Sequence, residues 1–154
     1  MSDSVLTVVP TDPRWQPSPD VGRAAADLVA SLALVAGDGG WCNVHWYDEV
    51  RLVDCGENLE RITCPHCGRE LSDSWFGDAL DERSGSGAGV TSLDVVVPCC
   101  GTATTLDALD YQWPMAFTRF KIAIWNPSRL LTPAAVAEIE EALGHRLSQV
   151  RAHY

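Results

Sequence analysis

Two clusters of cysteine constrain this chain more than any other feature, because they supply four thiols in two short segments. The first cluster reads Cys64-Pro-His-Cys67-Gly68, and the second reads Pro98-Cys-Cys-Gly101. Two residues separate the thiols of the first cluster, a spacing that lets a chain fold back over one metal ion. Four thiolates in a tetrahedral arrangement fill the coordination shell of Zn²⁺ and leave no open position. The sequence therefore predicts a structural zinc ion, and the predicted ligands are Cys64, Cys67, Cys99 and Cys100.

The second cluster imposes a geometric requirement, because Cys99 and Cys100 are adjacent. Side chains of consecutive residues diverge in an extended strand, so both thiols can face one ion only where the backbone turns sharply. Pro98 and Gly101 flank the pair and favour such a turn. One alternative remains open from the sequence: a single position in the ligand set is filled instead by His66, Cys55 or Cys42.

A redox-active dithiol is the other chemical interpretation of a CxxC motif. Such a motif normally lies at the start of a helix in a βαβ unit. Here it follows the strand-like residues 61–63, and a second cysteine cluster comes after 31 intervening residues. We therefore favour metal binding over redox chemistry. Six cysteines without a leader-like N-terminus also favour a reducing, cytoplasmic location.

On these residues, the segment 59–106 resembles the zinc-ribbon and treble-clef class of zinc-binding modules, whose turns often read CPxCG. The doubled cysteine departs from the commoner second CxxC of that class. The resemblance implies a bound zinc ion and implies no activity. The whole chain also looks like a family of bacterial proteins without an assigned activity, through residues 54–58, 109–114 and 152–154.

Outside the cysteine segment, the hydrophobic pattern predicts two units of strand, helix and strand. The first unit comprises a strand over 5–9, a helix that is capped by Ser18 or Asp20 and ends at Gly37, and a strand over 41–47 that residues 50–53 extend as a hairpin. The apolar face of its helix is predicted to comprise Val21, Ala24, Leu28, Leu32 and Val35. The second unit comprises a strand over 117–125, a helix between Thr132 and Gly144, and a strand over 147–153.

This order of elements is the ferredoxin-like split βαβ pattern, an α+β fold in which an antiparallel sheet carries two helices on one face. Within the cysteine segment, the pattern predicts a strand over 61–63, a helix capped by Ser72 and a strand over 93–97. We expect residues 1–58 and 107–154 to form the α+β core. We expect residues 59–106 to form a zinc-binding insertion.

The distribution of charge limits the function classes. The net charge is −10, and residues 1–110 hold 18 acidic residues against 6 arginines. Nucleic-acid binding is disfavoured, because phosphate contacts need a basic face. The apolar stretch over 24–36 is interrupted by Asp27 and Ser31 and is too short to cross a bilayer. We therefore expect no membrane contact.

An acidic zinc module without a recognisable catalytic motif more readily binds a protein. The leading hypothesis is a cytoplasmic, zinc-stabilised interaction module whose structural four-cysteine site organises a surface for a protein partner or for self-association. The chain has six tryptophans, and aromatic side chains are common at the centres of interfaces. The candidate contact residues are Trp75, Trp113 and Trp125.

Two alternatives belong to other classes. A hydrolytic or other acid/base enzyme would need two carboxylates with separated pKa values in a groove beside the zinc module. Its candidate residues are Asp54, Glu57, Asp107, Asp110, His45 and His153. A nucleic-acid-binding zinc ribbon would need a basic strip on the last strands, and its candidates are Arg119, Lys121, Arg129, Arg146 and Arg151.

Overall fold

The computed structural model describes residues 3–85 and 89–154. In these ranges every helix is too short or too polar to span a bilayer. The elements, in chain order, are β1 (Ser4–Pro10), α1 (Pro19–Ala33), β2 (Trp41–Val53), β3 (Arg61–Thr63), β4 (Glu70–Leu71), α2 (Asp73–Glu82), β5 (Asp94–Val96), β6 (Ala103–Thr105), β7 (Asp110–Gln112), β8 (Ala116–Trp125), α3 (Pro133–Leu143) and β9 (Leu147–His153).

Four strands form the main sheet in the order β2-β8-β1-β9, and each neighbouring pair is antiparallel. Helices α1 and α3 contact each other and pack on the same face of this sheet. The fully buried residues beneath them include Leu6 and Val8 of β1 and Phe120, Ile122 and Ile124 of β8. The predicted antiparallel sheet with two helices on one face is confirmed.

The helices begin where their sequences predict. The side chain of Ser18 accepts a hydrogen bond from the amide of Val21 at 3.3 Å, and that of Thr132 accepts one from Ala135 at 3.1 Å. These hydroxyls satisfy amides that have no partner within the first helical turn. Gly144 ends α3 in the left-handed conformation, with φ of 77°.

The rotation of α1 about its axis differs from the prediction. The buried residues include Gly22, Val29 and Ala33, whereas Val21 of the predicted apolar face is exposed. A Cβ atom on Gly22 would collide with Cζ2 of Trp46. The ring of Trp46 therefore packs against Gly22, the residue of the first turn that has no side chain. This contact determines which face of α1 is buried.

Strand β2 is one long strand, so the predicted hairpin over residues 50–53 is wrong. It pairs with β8 from Trp41 to Val53, with an irregularity between Trp46 and Arg51. A bulge bends a strand and increases its twist. Beyond the bulge, Val53 and the following Cys55 pack against Val9 and Val150, which lie on the face away from the helices.

The residues after β2 reach the opposite edge of the main sheet. Gly56 forms a parallel bridge with His153 of β9, and the amide of Glu57 donates to the carbonyl of His153 at 2.8 Å. Gly56 has φ of 61°, and a Cβ atom there would collide with the carbonyl oxygen of His153. Only glycine fits this crossing without strain. Residues 54–57 therefore cover part of the sheet's open face, which is the face without helices, and we call this segment the roof.

The middle of the chain has its own small sheets. Strand β3 pairs with β4 and with β7, and β5 pairs with β6. Helix α2 begins at the predicted cap, where Ser72 accepts from the amide of Trp75 at 3.1 Å. The apolar cluster of this region continues into Val50 of β2 and Phe117 of β8. The pairing of β3 with β7 thus extends this region to Gln112, past residue 106. The proposed division of the chain, with a core of residues 1–58 and 107–154 and an insertion of residues 59–106, stays a prediction.

Candidate metal centre

The two cysteine clusters lie side by side. The Sγ atoms of Cys64, Cys67, Cys99 and Cys100 all lie within 4.8 Å of one another. The Sγ of Cys64 is 3.9 Å from that of Cys100, and the Sγ of Cys67 is 3.3 Å from that of Cys99. All four cysteines are free thiols. With metal–sulfur bonds of about 2.3 Å, the sulfurs of a tetrahedral site are about 3.8 Å apart, so the group has the size of a site for one ion.

The first turn runs from Cys64 to Arg69 and joins β3 to β4. The amide of Cys64 donates to the carbonyl of Arg69, and the amide of Gly68 donates to the carbonyl of Cys64, each at 2.9 Å. Gly68 has φ of 74°, a conformation that glycine adopts without the clash of a Cβ atom. The amide of His66 also lies 3.4 Å from the Sγ of Cys64 and donates to it. The turn therefore supports a thiolate at Cys64 as well as a second thiol at Cys67.

The second turn repeats this backbone pattern and joins β5 to β6. The amide of Val97 donates to the carbonyl of Thr102 at 3.1 Å, and the amide of Gly101 donates to the carbonyl of Val97 at 2.9 Å. Gly101 has φ of 70°. Val97 thus occupies the place that Cys64 has in the first turn, and Cys100 occupies the place of Cys67.

This equivalence accounts for the doubled cysteine. Val97 is fully buried and offers no metal ligand, so Cys99 supplies the fourth thiol from within the turn. The signal was present in the sequence, where CPHCG and VPCCG align with proline and glycine in register. From the sequence we predict only a sharp turn at Cys99 and Cys100, and not a backbone that repeats the first turn.

The four thiols sit between the apolar cluster of the middle region and solvent. Cys64 is buried at 2% exposure and belongs to that cluster, whereas Cys67 and Cys100 are exposed. Cys99 is half-buried and packs against the same cluster. The Sγ of Cys100 also lies 3.2 Å from the hydroxyl of Thr102. Hydrogen bonds of this kind orient thiolates and spread their charge.

The thiols differ in their readiness to ionise. Burial opposes ionisation of Cys64, but the amides of Cys67 and His66, together with the neighbouring thiols, outweigh it and lower its pKa to about 7. Burial, followed by the thiols of Cys67, Cys64 and Cys100, raises the pKa of Cys99 to about 12. Four thiolates at these distances repel one another, and a bound divalent cation offsets that repulsion. The hydrogen bonds around Cys64 therefore favour its thiolate, and a bound cation would favour ionisation of its neighbours.

The alternative ligands lie outside this group of four. The Sγ of Cys42 is 3.9 Å from the carbonyl oxygen of Ala26, and that of Cys55 is 3.6 Å from the carbonyl oxygen of Trp113. Burial raises the pKa of both thiols. Each behaves as a packing residue of the main sheet or of its roof. His66 lies in the first turn, but its ring is not part of the cluster.

The residues of the enzyme hypothesis do not share one cavity. His45 and Asp54 line one cavity on the open face of the main sheet, Asp107 lines a second cavity, and His153 lines a third. The lining of the His45 cavity contains no other acid of the proposed set. Acid/base catalysis by two carboxylates needs both groups at one substrate. The cavity beside His45 provides only one of them.

The basic residues of the nucleic-acid hypothesis do not form one strip. Arg151 is opposite Leu6 in the strand pairing and so lies on the face that carries the helices. Lys121 lies on the other face, in register with His45. The guanidinium of Arg119 donates to the carbonyl of Tyr47 at 3.2 Å. These side chains are therefore directed to different parts of the surface.

Comparison with known proteins finds no matching family model, no matching curated protein and no matching solved structure. The four thiols and their surroundings are therefore the observations from which a function is inferred.

Because the two turns are equivalent, we expect that the fourth thiol can be moved from position 99 to position 97, which corresponds to Cys64 of the first turn. Cys99→Ser should weaken zinc binding by about 100-fold or more, because a hydroxyl is a poor substitute for a thiolate ligand. Adding Val97→Cys to Cys99→Ser should restore affinity to within about tenfold of the unmodified chain, since both turns then read CPxCG. Competition titration with a chromophoric chelator measures the affinities.

Cys42→Ser is the matched control, because this thiol lies outside the group, and it should leave zinc affinity unchanged. Undiminished binding by Cys99→Ser would contradict the ligand assignment. A double variant that binds no better than Cys99→Ser alone would show that the two turns are not equivalent.

Proposed function

We propose that the chain is a zinc-stabilised interaction module, in which a ferredoxin-like split βαβ sheet carries a zinc-ribbon-like insertion. The proposed ligands of one structural Zn²⁺ are Cys64, Cys67, Cys99 and Cys100. The observation that supports this most strongly is the convergence of four sulfur atoms within 4.8 Å. Tetrahedral sets of four thiolates favour zinc, and four protein ligands leave no position for water or substrate. The proposed metal is therefore structural.

The strands of the middle region are short, so a bound ion would stabilise their folded arrangement. Strand β4 has two residues, and β3, β5, β6 and β7 have three each. Isolated hairpins are marginally stable in water. A metal bound to the tips of both hairpins joins β3–β4 to β5–β6, and its binding free energy then contributes to folding. The buried cluster around Ile62 and Val97 supplies the remaining stabilisation.

Removal of the metal should unfold the middle region and leave the main sheet folded. We expect amide hydrogen exchange at Ile62 and Val95 to accelerate by about 100-fold or more in excess chelator, because their hairpins lose their link. The amides of Leu6 and Ile122 should stay protected. Exchange measured by NMR or mass spectrometry, with Zn²⁺ added back, tests this.

Cys64→Ser should reproduce the effect of chelator without any added reagent, and Cys42→Ser should not. Equal protection of both regions with and without metal would contradict a structural role for the ion. Simultaneous loss of all protection would show that the metal supports the whole chain and not the middle region alone.

The proposed partner is a protein or a second copy of the chain. Three large aromatic side chains remain 41–49% exposed, namely those of Trp41, Trp113 and Tyr154. Trp113 also has φ of 49°, which is uncommon for a residue other than glycine and can mark a functional position. Of the three tryptophans proposed from sequence, Trp75 and Trp125 are partly buried, so Trp113 is the best supported contact residue.

The net charge of −10 supports a protein partner over nucleic acid. The reducing cytoplasm is the proposed location, because exposed Cys67 and its neighbour Cys99 would readily form a disulfide under oxidising conditions.

The interaction proposal is tested with Trp113→Ser. We expect this variant to weaken self-association in sedimentation velocity, or retention of one identified protein on the immobilised chain, by about tenfold or more. Trp75→Phe is the control and should preserve binding. Zinc content and circular dichroism must match the unmodified chain in both variants. A chain that stays monomeric and retains the same proteins with and without Trp113 would contradict the proposal.

A further inference from the structure

A cavity of about 270 Å³ lies on the face of the main sheet away from the two helices. Its floor consists of small side chains, including Thr7, Ala123 and Ala152, each at most 5% exposed. Val53 and Asp54, at the end of the bent β2, line it on the side of the roof. Small residues in the middle of the strands leave room between the larger side chains at the two ends, and this difference in size creates the cavity.

The strand pairing gives the cavity two chemically different ends. Asn43 is opposite Ala123, which is opposite Thr7, so these residues form one row across the floor. His45 and Lys121 form the next row on one side. On the other side, Trp125 is opposite Val5, and the ring of Trp125 stacks on that of Tyr154. One end is therefore basic and polar, and the other is aromatic.

Two polar groups of the lining form no hydrogen bond or ion pair in the described ranges. The Oδ1 atom of Asn43 is buried and accepts no hydrogen bond. Lys121, the single lysine of the chain, forms no ion pair. Outside the lining, Nε of Arg51 is likewise buried without an acceptor, and the guanidinium of this residue lies 4.3 Å from the centre of the Tyr47 ring. A buried polar group without a partner is costly, so such groups mark positions where a ligand can supply the missing bond.

The Lys121 end of the cavity favours an anion, and the acidic residue of the lining already has hydrogen-bond donors. Asp54 is its one acidic residue, and the Oδ1 atom of this residue already accepts hydrogen bonds from the amide of Gly56 and the hydroxyl of Tyr154, each at 2.9 Å. Burial, followed by Lys121 and Arg51, lowers the pKa of His45 and so favours the neutral imidazole. In the described ranges neither Asp54 nor Lys121 forms an ion pair, but Asp54 accepts hydrogen bonds, whereas the ammonium of Lys121 has the ring of Tyr47 near it, at 5.9 Å.

We propose that this cavity binds a small aromatic carboxylate that carries an N–H donor. The carboxylate pairs with Lys121, the N–H donates to Oδ1 of Asn43, and the ring packs against Trp125. Alternate residues of a strand are about 6.7 Å apart, so about 13 Å separates the Cα atoms of Lys121 and Trp125. A bicyclic aromatic carboxylate with its contacts at both ends spans this length. The site is separate from the four thiols and does not depend on the proposed zinc function.

Indole-3-carboxylate is the probe, titrated into the zinc-loaded full chain and followed by ¹H–¹⁵N NMR. We expect saturable shifts at Thr7, Asn43, Ala123 and the indole N–H of Trp125, with a Kd below about 1 mM. Indole, which lacks the carboxylate, should bind at least about tenfold more weakly. Shifts confined to other residues, or no saturable shift up to about 10 mM probe, would overturn the proposal.

Two variants separate the proposed contacts from general effects. Lys121→Met keeps the aliphatic stem and should weaken binding by about tenfold or more, whereas Arg129→Met removes a charge outside the cavity and should not. Ala123→Leu should abolish binding by filling the cavity. Equal affinity of Lys121→Met and Arg129→Met would overturn the proposal. An unchanged zinc content in each variant shows that any loss of binding arises in the cavity and not at the four thiols.

Discussion

The close approach of four thiols from two separate turns is the constraint on which the middle of this protein depends. Their sulfurs lie within 4.8 Å of one another although 31 residues separate the turns. Burial and the neighbouring thiols raise the pKa of Cys99 to about 12, so ionisation of all four thiols is opposed. In the proposed function, a divalent cation would remove that repulsion and link two hairpins that are too short to be stable separately. Ion binding and local folding would then be one process.

The bend in β2 connects the main sheet to the middle region of the chain. It carries the chain across the open face, where Gly56 pairs with His153, and then leads into β3 and the first cysteine turn. The same segment roofs the cavity between Lys121 and Trp125. The apolar cluster of the middle region includes Val50 and Phe117 of the β2–β8 pair. The apolar cluster that includes Cys64 therefore contacts the β2–β8 strand pair. The cavity is lined by residues of the same pair.

Features set by neighbouring residues were predictable from the sequence, and features set by distant contacts were not. The caps at Ser18, Ser72 and Thr132 follow from hydroxyls that satisfy nearby amides, and the four thiols follow from their spacing. The buried face of α1 depends on a ring that reaches Gly22 from β2, which its own periodicity cannot show. The placement of Arg151 and Lys121 on opposite faces of the sheet likewise follows from strand register, which no single segment determines.

Zinc K-edge X-ray absorption of protein purified without chelator tests the central claim most directly. We expect one zinc ion per chain, bound by four sulfur atoms at about 2.3 Å and by no nitrogen or oxygen ligand. A first shell that contains nitrogen or oxygen would contradict the assignment of four thiolates. A folded chain without zinc, whose cysteines are joined as disulfides, would contradict the role of the ion itself.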